Sequence, residues 1–109
     1  MRARVQTQGE VTVVDLEGRI DFETSAPFRK VCMESWANRK LFFNLSNLSF
    51  VGSHGITDFV QTIEVLSEKS DPTVKICGLS SEFRRIFESR QIKKLEIFDS
   101  AELALASFL

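Results

Sequence analysis

The sequence has few side chains that could support acid–base, nucleophilic or metal chemistry. His54 is the only histidine, and the only cysteines, Cys32 and Cys77, stand in apolar stretches that suit buried free thiols. No second histidine or paired cysteine completes a metal site, and the glycine patterns of dinucleotide and phosphate loops are absent. The segment around Ser53 is no hydrolase nucleophile elbow, because Val51 stands where that elbow needs glycine. We therefore expect no catalytic residue, no metal and no cofactor.

The remaining candidate for chemistry is Ser53 itself. It follows an apolar run and comes just before a pattern of helical spacing, so it should lie at the start of a helix. A serine there can cap the helix, and this is its common role. A phosphate there would meet backbone N–H groups and the positive helix end, and would add about −1.5 to −2 charges. The spacing favours Ser53 as a helix cap and leaves a phosphorylation switch open. We interpret His54 as an ordinary exposed histidine of the loop.

Short apolar or β-branched segments between turn residues predict five strands. They are expected at residues 4–8, 11–17, 40–46, 73–78 and 95–98. Gly9 and Glu10 form a short turn, so the first two strands should pair as an antiparallel hairpin. Three consecutive apolar residues at 41–43 predict that the third strand lies inside the sheet with cover on both faces.

Apolar residues at helical spacing predict helices between these strands. The first should be capped by Thr24, carry Pro27 in its first turn, end near Asn38 and bury Phe28, Val31, Cys32 and Trp36. The second is expected at about 54–69 with Ile56, Phe59, Val60 and Ile63 buried.

Two shorter helices complete the pattern. Ser80 or Ser81 should cap the third, and Asp99 should open the fourth, with a capping box to Glu102 and an apolar staple between Phe98 and Leu103. The order β-β-α-β-α-β-α-β-α predicts an α/β domain, with a mostly parallel mixed sheet, an antiparallel edge hairpin and about four helices.

Length and composition indicate one globular domain over residues 1–109. The chain is 43% hydrophobic and 27% charged, which is ordinary for a folded domain. Fourteen Lys and Arg oppose 15 Asp and Glu, a net charge of −1, so nothing favours nucleic acid or an anionic membrane as partner. No apolar run approaches the roughly 20 residues of a membrane span and no secretory signal stands out, so we expect a cytoplasmic protein.

Several segments together resemble one known family. Residues 16–21, Leu-Glu-Gly-Arg-Ile-Asp, fit a Leu-x-Gly-x-(Leu/Ile)-Asp element, and residues 50–56, Phe-Val-Gly-Ser-His-Gly-Ile, fit Phe-(Ile/Met/Val)-Asp-Ser-Ser-Gly-Leu. Gly78-Leu79-Ser80 and residues 97–102 fit later parts of the same pattern. The chain thus resembles the STAS domain, and more narrowly the bacterial anti-sigma factor antagonists, with Gly52 in place of the family's Asp and His54 in place of its second Ser.

This resemblance implies protein binding and no catalysis. The family's phosphorylation site falls on Ser53, and Gly52, Ser53, His54 and Gly55 would form the partner-binding loop. The implied partners are an anti-sigma factor with serine kinase activity and a phosphatase that restores the serine. The unmodified antagonist would bind the anti-sigma factor and release the sigma factor.

Two other functions stay open. One is a STAS module of a signalling scaffold or a lipid-transport complex that is not phosphorylated. The other is a small-ligand or nucleotide-binding α/β domain with a pocket near residues 52–55.

Overall fold

The computed structural model describes residues 1–50, 52–69 and 73–108, with the backbone alone at residues 22, 50 and 52–54. The strands in this part of the chain are β1 (Arg2–Gln8), β2 (Val11–Ile20), β3 (Lys40–Phe50), β4 (Val74–Cys77) and β5 (Leu95–Phe98). The helices are α1 (Phe22–Val31), α2 (Gly52–Lys69), α3 (Ser81–Ser89) and α4 (Ala101–Ala106), and α1 continues into a π-helical turn at Cys32–Trp36. The predicted order of elements is confirmed.

The five strands form one sheet in the order β1-β2-β3-β4-β5. β1 pairs antiparallel with β2 through the turn at Gly9, and every other neighbouring pair is parallel. The predicted mixed sheet with an antiparallel edge hairpin is therefore confirmed, and β3 is its central strand.

β2 and β3 run further than their sequences predicted, because a bulge lets polar residues stay within the ladder. Asp15 pairs with Asn44 and Glu17 with Asn47, so three steps along β3 oppose two along β2. The Asn44 side-chain oxygen accepts hydrogen bonds from the Ser46 backbone N–H at 3.1 Å and from the Ser46 hydroxyl at 2.7 Å. Pairing then continues to the ends of both strands.

The core lies on both faces of the sheet. Alternate residues of β3 point to opposite sides, so Leu41 and Phe43 face α1, α2 and α3, whereas Phe42 faces α4, and all three are buried. Phe59 of α2 stacks on Phe28 of α1, with ring centroids 5.2 Å apart. Among the predicted α2 residues, Phe59, Val60 and Ile63 are buried and Ile56 is half-buried.

The start of α1 differs from its prediction. Asp21, not Thr24, is the N-cap, and the two form a reciprocal capping box in which Thr24 is the third helical residue. Pro27 is consequently the sixth helical residue and lies outside the first turn. Val31 is 41% exposed, because the buried stripe passes through Phe28, Cys32 and Trp36 at intervals of four and leaves Val31 at its margin.

The predicted cap of α3 is confirmed, whereas the predicted cap of α4 is wrong. Ser80 caps α3 as predicted, and its hydroxyl accepts the Phe83 N–H at 3.3 Å. Ser100, not Asp99, caps α4, since its hydroxyl accepts the Leu103 N–H at 3.2 Å. Glu102 is then the second helical residue, too early for a capping box, and Leu103 is 55% exposed, so the predicted apolar staple is wrong as well.

Candidate partner-binding site at the carboxyl edge of the sheet

The start of α2 lies at the edge of the sheet where the parallel strands end. Ile20, the last residue of β2, pairs with Phe50, the last residue of β3. The starts of α1 and α2, which follow these strands, are therefore neighbours. Ser53 is the second residue of α2, inside its first turn, whereas the prediction made it the cap preceding a helix from about 54. The predicted exposure of the Ser53 and His54 side chains, and a ligand pocket at residues 52–55, lie outside the described residues.

Gly55 fixes the position of this first turn. It is buried, and a Cβ placed on it would stand 2.8 Å from the Ile20 carbonyl oxygen and 3.4 Å from the Asp21 Cα. Real side chains do not approach a backbone oxygen so closely, so only glycine lets α2 pack directly on the end of β2. Gly55 was predicted as part of the binding loop, and the structure shows it in close contact with the end of β2 and the cap residue of α1.

Asp21 supplies a fixed negative charge at this junction. Its side chain accepts the Thr24 N–H at 3.0 Å, while the Asp21 N–H donates to the Thr24 hydroxyl at 2.8 Å. The hydrogen bond from the Thr24 backbone lowers the pKa of Asp21 below its usual value. The carboxylate is therefore ionised at neutral pH, next to the backbone that holds Gly55.

A second close backbone contact joins the neighbouring strands at the same edge. Gly78, which follows β4, has φ +85°, and a Cβ there would overlap the backbone and hydroxyl of Ser46 in the bulge of β3. Cys77 donates its thiol proton to the Asn44 side chain at 3.6 Å. The ends of β3 and β4 thus pack closely against each other beside the candidate site.

The cysteines take no part in chemistry at this edge. Burial raises the pKa of the Cys32 thiol to about 12, and burial together with the charge of Asp15 raises that of Cys77 to about 11. Both are buried free thiols, as predicted. Because the thiolate is the reactive form, neither is a nucleophile at neutral pH.

A polar groove lies between α1 and α2, on the helices that begin at the site. It has a volume of about 340 Å³ and its lining residues are Glu23, Ser25, Ala26, Arg29, Asp58 and Thr62. Arg29 donates its Nε proton to the Thr62 hydroxyl at 3.3 Å and so joins the two helices. The groove presents carboxylates on both helices and one guanidinium, so its lining is mainly polar and charged.

Two kinds of site are not found in the described part of the chain. None of its groups of His, Cys, Asp and Glu could hold a metal ion. None of its helices is long and apolar enough to cross a membrane.

Comparison with known proteins identifies the family. The STAS domain family matches residues 2–104. The anti-sigma-B factor antagonist of Staphylococcus aureus strain NCTC 8325 is 31% identical over 91 residues, which cover 82% of this chain and 83% of the relative. The chain therefore belongs to the STAS domain family and, within it, to the anti-sigma factor antagonists.

Solved structures share the fold at lower sequence identity. The unphosphorylated form of the anti-sigma factor antagonist SpoIIAA aligns with a TM-score of 0.65 and 16% identity, over 98% of this chain and 96% of that one. The phosphorylated form of SpoIIAA from Bacillus gives 0.63 and 15%, over 99% and 100%. An anti-sigma factor antagonist from Mycobacterium paratuberculosis gives 0.66 and 23%, over 97% and 92%.

Proposed function

We propose that this chain is an anti-sigma factor antagonist that acts by binding and catalyses no reaction. Its partner is an anti-sigma factor with serine kinase activity, which binds the loop Gly52, Ser53, His54 and Gly55 and phosphorylates Ser53. A phosphatase reverses the modification. The observation that carries this proposal is the position of Ser53 in the first turn of α2, in a chain 31% identical to an anti-sigma-B factor antagonist.

The junction beneath Ser53 supports a switch that leaves the fold unchanged. Gly55 packs on the backbone of Ile20, and Asp21 caps α1 at the same place. These contacts hold the first turn of α2 against the end of β2. A phosphate at a helix start is favoured by the free N–H groups and the dipole, typically by about 0.3–1 kcal/mol at an exposed position. The modified domain should therefore stay folded.

The effect on a partner is larger and of opposite sign. Burying a poorly paired charge in an interface costs several kcal/mol. The neighbouring surface already carries Asp21, Glu23 and Asp58, so a phosphate adds about two negative charges to an acidic edge. Phosphorylation of Ser53 should thus release a partner that accepts the neutral hydroxyl.

Gly52 sets this chain apart from the family pattern, which has Asp before the phosphorylated serine. Without that carboxylate the kinase loses one acidic group that it could recognise next to its target. We expect Ser53 to be a slower kinase substrate here than in a chain with the full motif, and Gly52→Asp to raise the rate of labelling.

The test is to measure binding of the host's anti-sigma factors to wild type, Ser53→Ala and Ser53→Asp, and to follow labelling with ATP. Ser53→Ala should bind like wild type and resist labelling, and Ser53→Asp should bind at least about tenfold more weakly, a loss of roughly 1.4 kcal/mol. Ser81→Asp is the matched control, because Ser81 is an exposed residue in the first turn of α3.

Two results would count against the proposal. If Ser53→Asp binds as tightly as wild type and no kinase labels Ser53, the chain is a STAS module without a phosphorylation switch. If Ser81→Asp weakens binding equally, the effect reports overall charge and not the start of α2.

A further inference from the structure

β1 is an edge strand with an unusually open outer side. All seven of its residues, Arg2–Gln8, are exposed, and its pairing with β2 is continuous, with no bulge and no proline. Proteins usually protect such an edge with a bulge, a proline, charged side chains or a covering element. β1 carries the charges of Arg2 and Arg4, and both arginines already form ion pairs with Glu17 of β2. The opposite edge, β5, has only four residues and is mostly half-buried. Within the described part of the chain, β1 is therefore the edge open to a further strand.

Exposed apolar side chains gather at this same edge. The described residues include four large exposed apolar side chains, of which Met1, Val5 and Val31 lie on β1 or beside it and Leu103 lies on α4. Met1 and Val31 also line a hollow of about 240 Å³ between β1 and α1, together with Ala3, Glu23, Thr24, Pro27, Phe28 and Trp36. A mainly apolar surface next to an unpaired strand is typical of a protein interface.

We propose that β1 pairs with β1 of a second copy of this chain, antiparallel about a two-fold axis at Val5, so that two sheets become one of ten strands. In this register Val5 faces Val5 of the second copy. The remaining pairs bring together Arg4 and Gln6, Ala3 and Thr7, and Arg2 and Gln8. The inference does not depend on the proposed function.

Charge selects this register over its neighbours. A two-fold centred on Arg4 would place Arg4 against Arg4 of the second copy, and like charges directly opposite destabilise strand pairing. In the register centred on Val5, each arginine faces a glutamine. Glu17 of the same chain already pairs both arginines, with its Oε1 3.5 Å from Arg2 Nη1 and 3.7 Å from Arg4 Nε. The edge therefore pairs with itself without an opposed charge.

Geometry excludes the other near registers. A shift of the strand pairing by one residue would reverse one sheet, because side chains alternate along a strand. The face covered by α1, α2 and α3 in one copy would then continue into the face covered by α4 in the other. A centre at Gln6 would leave Arg2 and Ala3 without partners in β1. The register at Val5 pairs the whole strand and keeps α1 of both copies on one side, where Met1, Val5 and Val31 become covered.

The pairing leaves the start of α2 free. Because the two β1 strands run in opposite directions, the carboxyl edges of the two parallel sheets lie at opposite ends of the assembly. Each copy then presents its own Ser53 turn, and the two turns point away from each other.

The experiment is sedimentation equilibrium of the full chain at concentrations up to about 1 mM, which detects even weak dimers. Wild type should reach twice the 12.4 kDa mass of the chain. Val5→Lys places two lysines face to face and should weaken the dimer at least about tenfold. Leu103→Lys is the matched control, since Leu103 is 55% exposed but lies on α4, and it should dimerise like wild type.

Two further measurements test the register itself. An equimolar mixture of Val5→Lys and Val5→Glu should dimerise more tightly than either variant alone. Gln6→Glu should tighten the dimer by facing Arg4 of the second copy, and Gln6→Lys should weaken it. Circular dichroism verifies that each variant is folded, and the exposed Gln6 pair provides the test if a Val5 variant unfolds.

The proposal is overturned if wild type stays monomeric at the highest concentration, even if β1 then binds a strand of another protein. It is equally overturned if Val5→Lys dimerises like wild type, or if Leu103→Lys is as damaging as Val5→Lys. A dimer whose affinity ignores both Gln6 variants would show a different register.

Discussion

The carbonyl oxygen of Ile20 approaches the Cα of Gly55 so closely that a Cβ on Gly55 would stand 2.8 Å from it. This contact joins the end of β2 to the first turn of α2. It means that the position of Ser53 is determined by a residue two places further along, through a contact with a strand more than thirty residues earlier in the chain.

Gly55→Ala should destabilise the domain by about 1–3 kcal/mol, because the added methyl group forces two backbones apart. Unfolding in urea measures the loss. Thr57→Ala is the control, as Thr57 is an exposed residue of the same helix and should change stability by no more than about 0.5 kcal/mol. Equal stability of Gly55→Ala and wild type would show that α2 can shift away from β2 at no cost.

Asp21→Ala should lower the melting temperature, since it removes the cap of α1 and its bond from the Thr24 N–H. Asp21→Asn keeps an oxygen that can accept this bond and should retain most of the stability. If both variants melt like wild type, the capping box contributes nothing to the fold.

The same carboxylate should make stability depend on pH in acid. The pKa of Asp21 is lowered in the folded chain, so its contribution is complete above the unfolded value of about 3.9. It is lost as the pH falls from there through the lowered folded pKa. Melting curves between neutral pH and this range should show a smaller acid loss for Asp21→Asn than for wild type. An identical acid loss in both would assign the effect to other carboxyl groups.

Native Cys32 and Cys77 should resist alkylation by iodoacetamide at mildly alkaline pH, because their pKa values are raised to about 12 and about 11. In denaturant both should react within the time expected of free cysteine. The raised thiol pKa values should also lower the stability of the fold as the pH rises above the unfolded thiol pKa of about 8.5, because only the unfolded chain then loses these protons. Mass spectrometry counts the labelled thiols, and rapid labelling of the folded protein would contradict the burial described for them.

The chain should show no hydrolase activity of its own, since the segment around Ser53 lacks the elbow glycine and His54 is the only histidine. Purified protein is assayed with an activated ester. Turnover that disappears in both Ser53→Ala and His54→Ala would overturn this prediction and reassign the two residues to catalysis. Turnover that persists in both variants would point to a contaminant.

Strong apolar patterns made most of the fold predictable. The unbroken run Leu41, Phe42 and Phe43 identified the central strand, and the stripe from Phe59 to Ile63 identified the buried face of α2. Both signals arise from burial, which constrains residue type directly. The family resemblance led to Ser53 and Gly55 as site residues.

The caps were harder to assign because several residues at a helix start have the same chemistry. Asp21 and Thr24 lie three residues apart, and both residue types are common N-caps. The sequence alone therefore does not show which of the two is the cap and which is the third helical residue. Asp99 and Ser100 are adjacent caps, and the structure uses the second. The bulge at Asn44 and the contact of Gly55 depend on strands distant in sequence, so no local pattern revealed them.

The bulge in β3 has a consequence for how this chain can change in length. β3 uses one residue more than β2 between Asn44 and Asn47, and pairing resumes in step as far as Phe50. Deleting that extra residue would remove the bulge and leave the ladder in step on both sides. Deleting one residue beyond the bulge, after Asn47, would instead pull the start of α2 back by one position and turn it by about 100°, since a helix has 3.6 residues per turn. Ser53 and Gly55 would then lie on different sides of the helix, at the angular positions that their neighbours now have. Insertions and deletions between residues 47 and 55 should therefore be far less tolerated than deletion of one residue within the bulge.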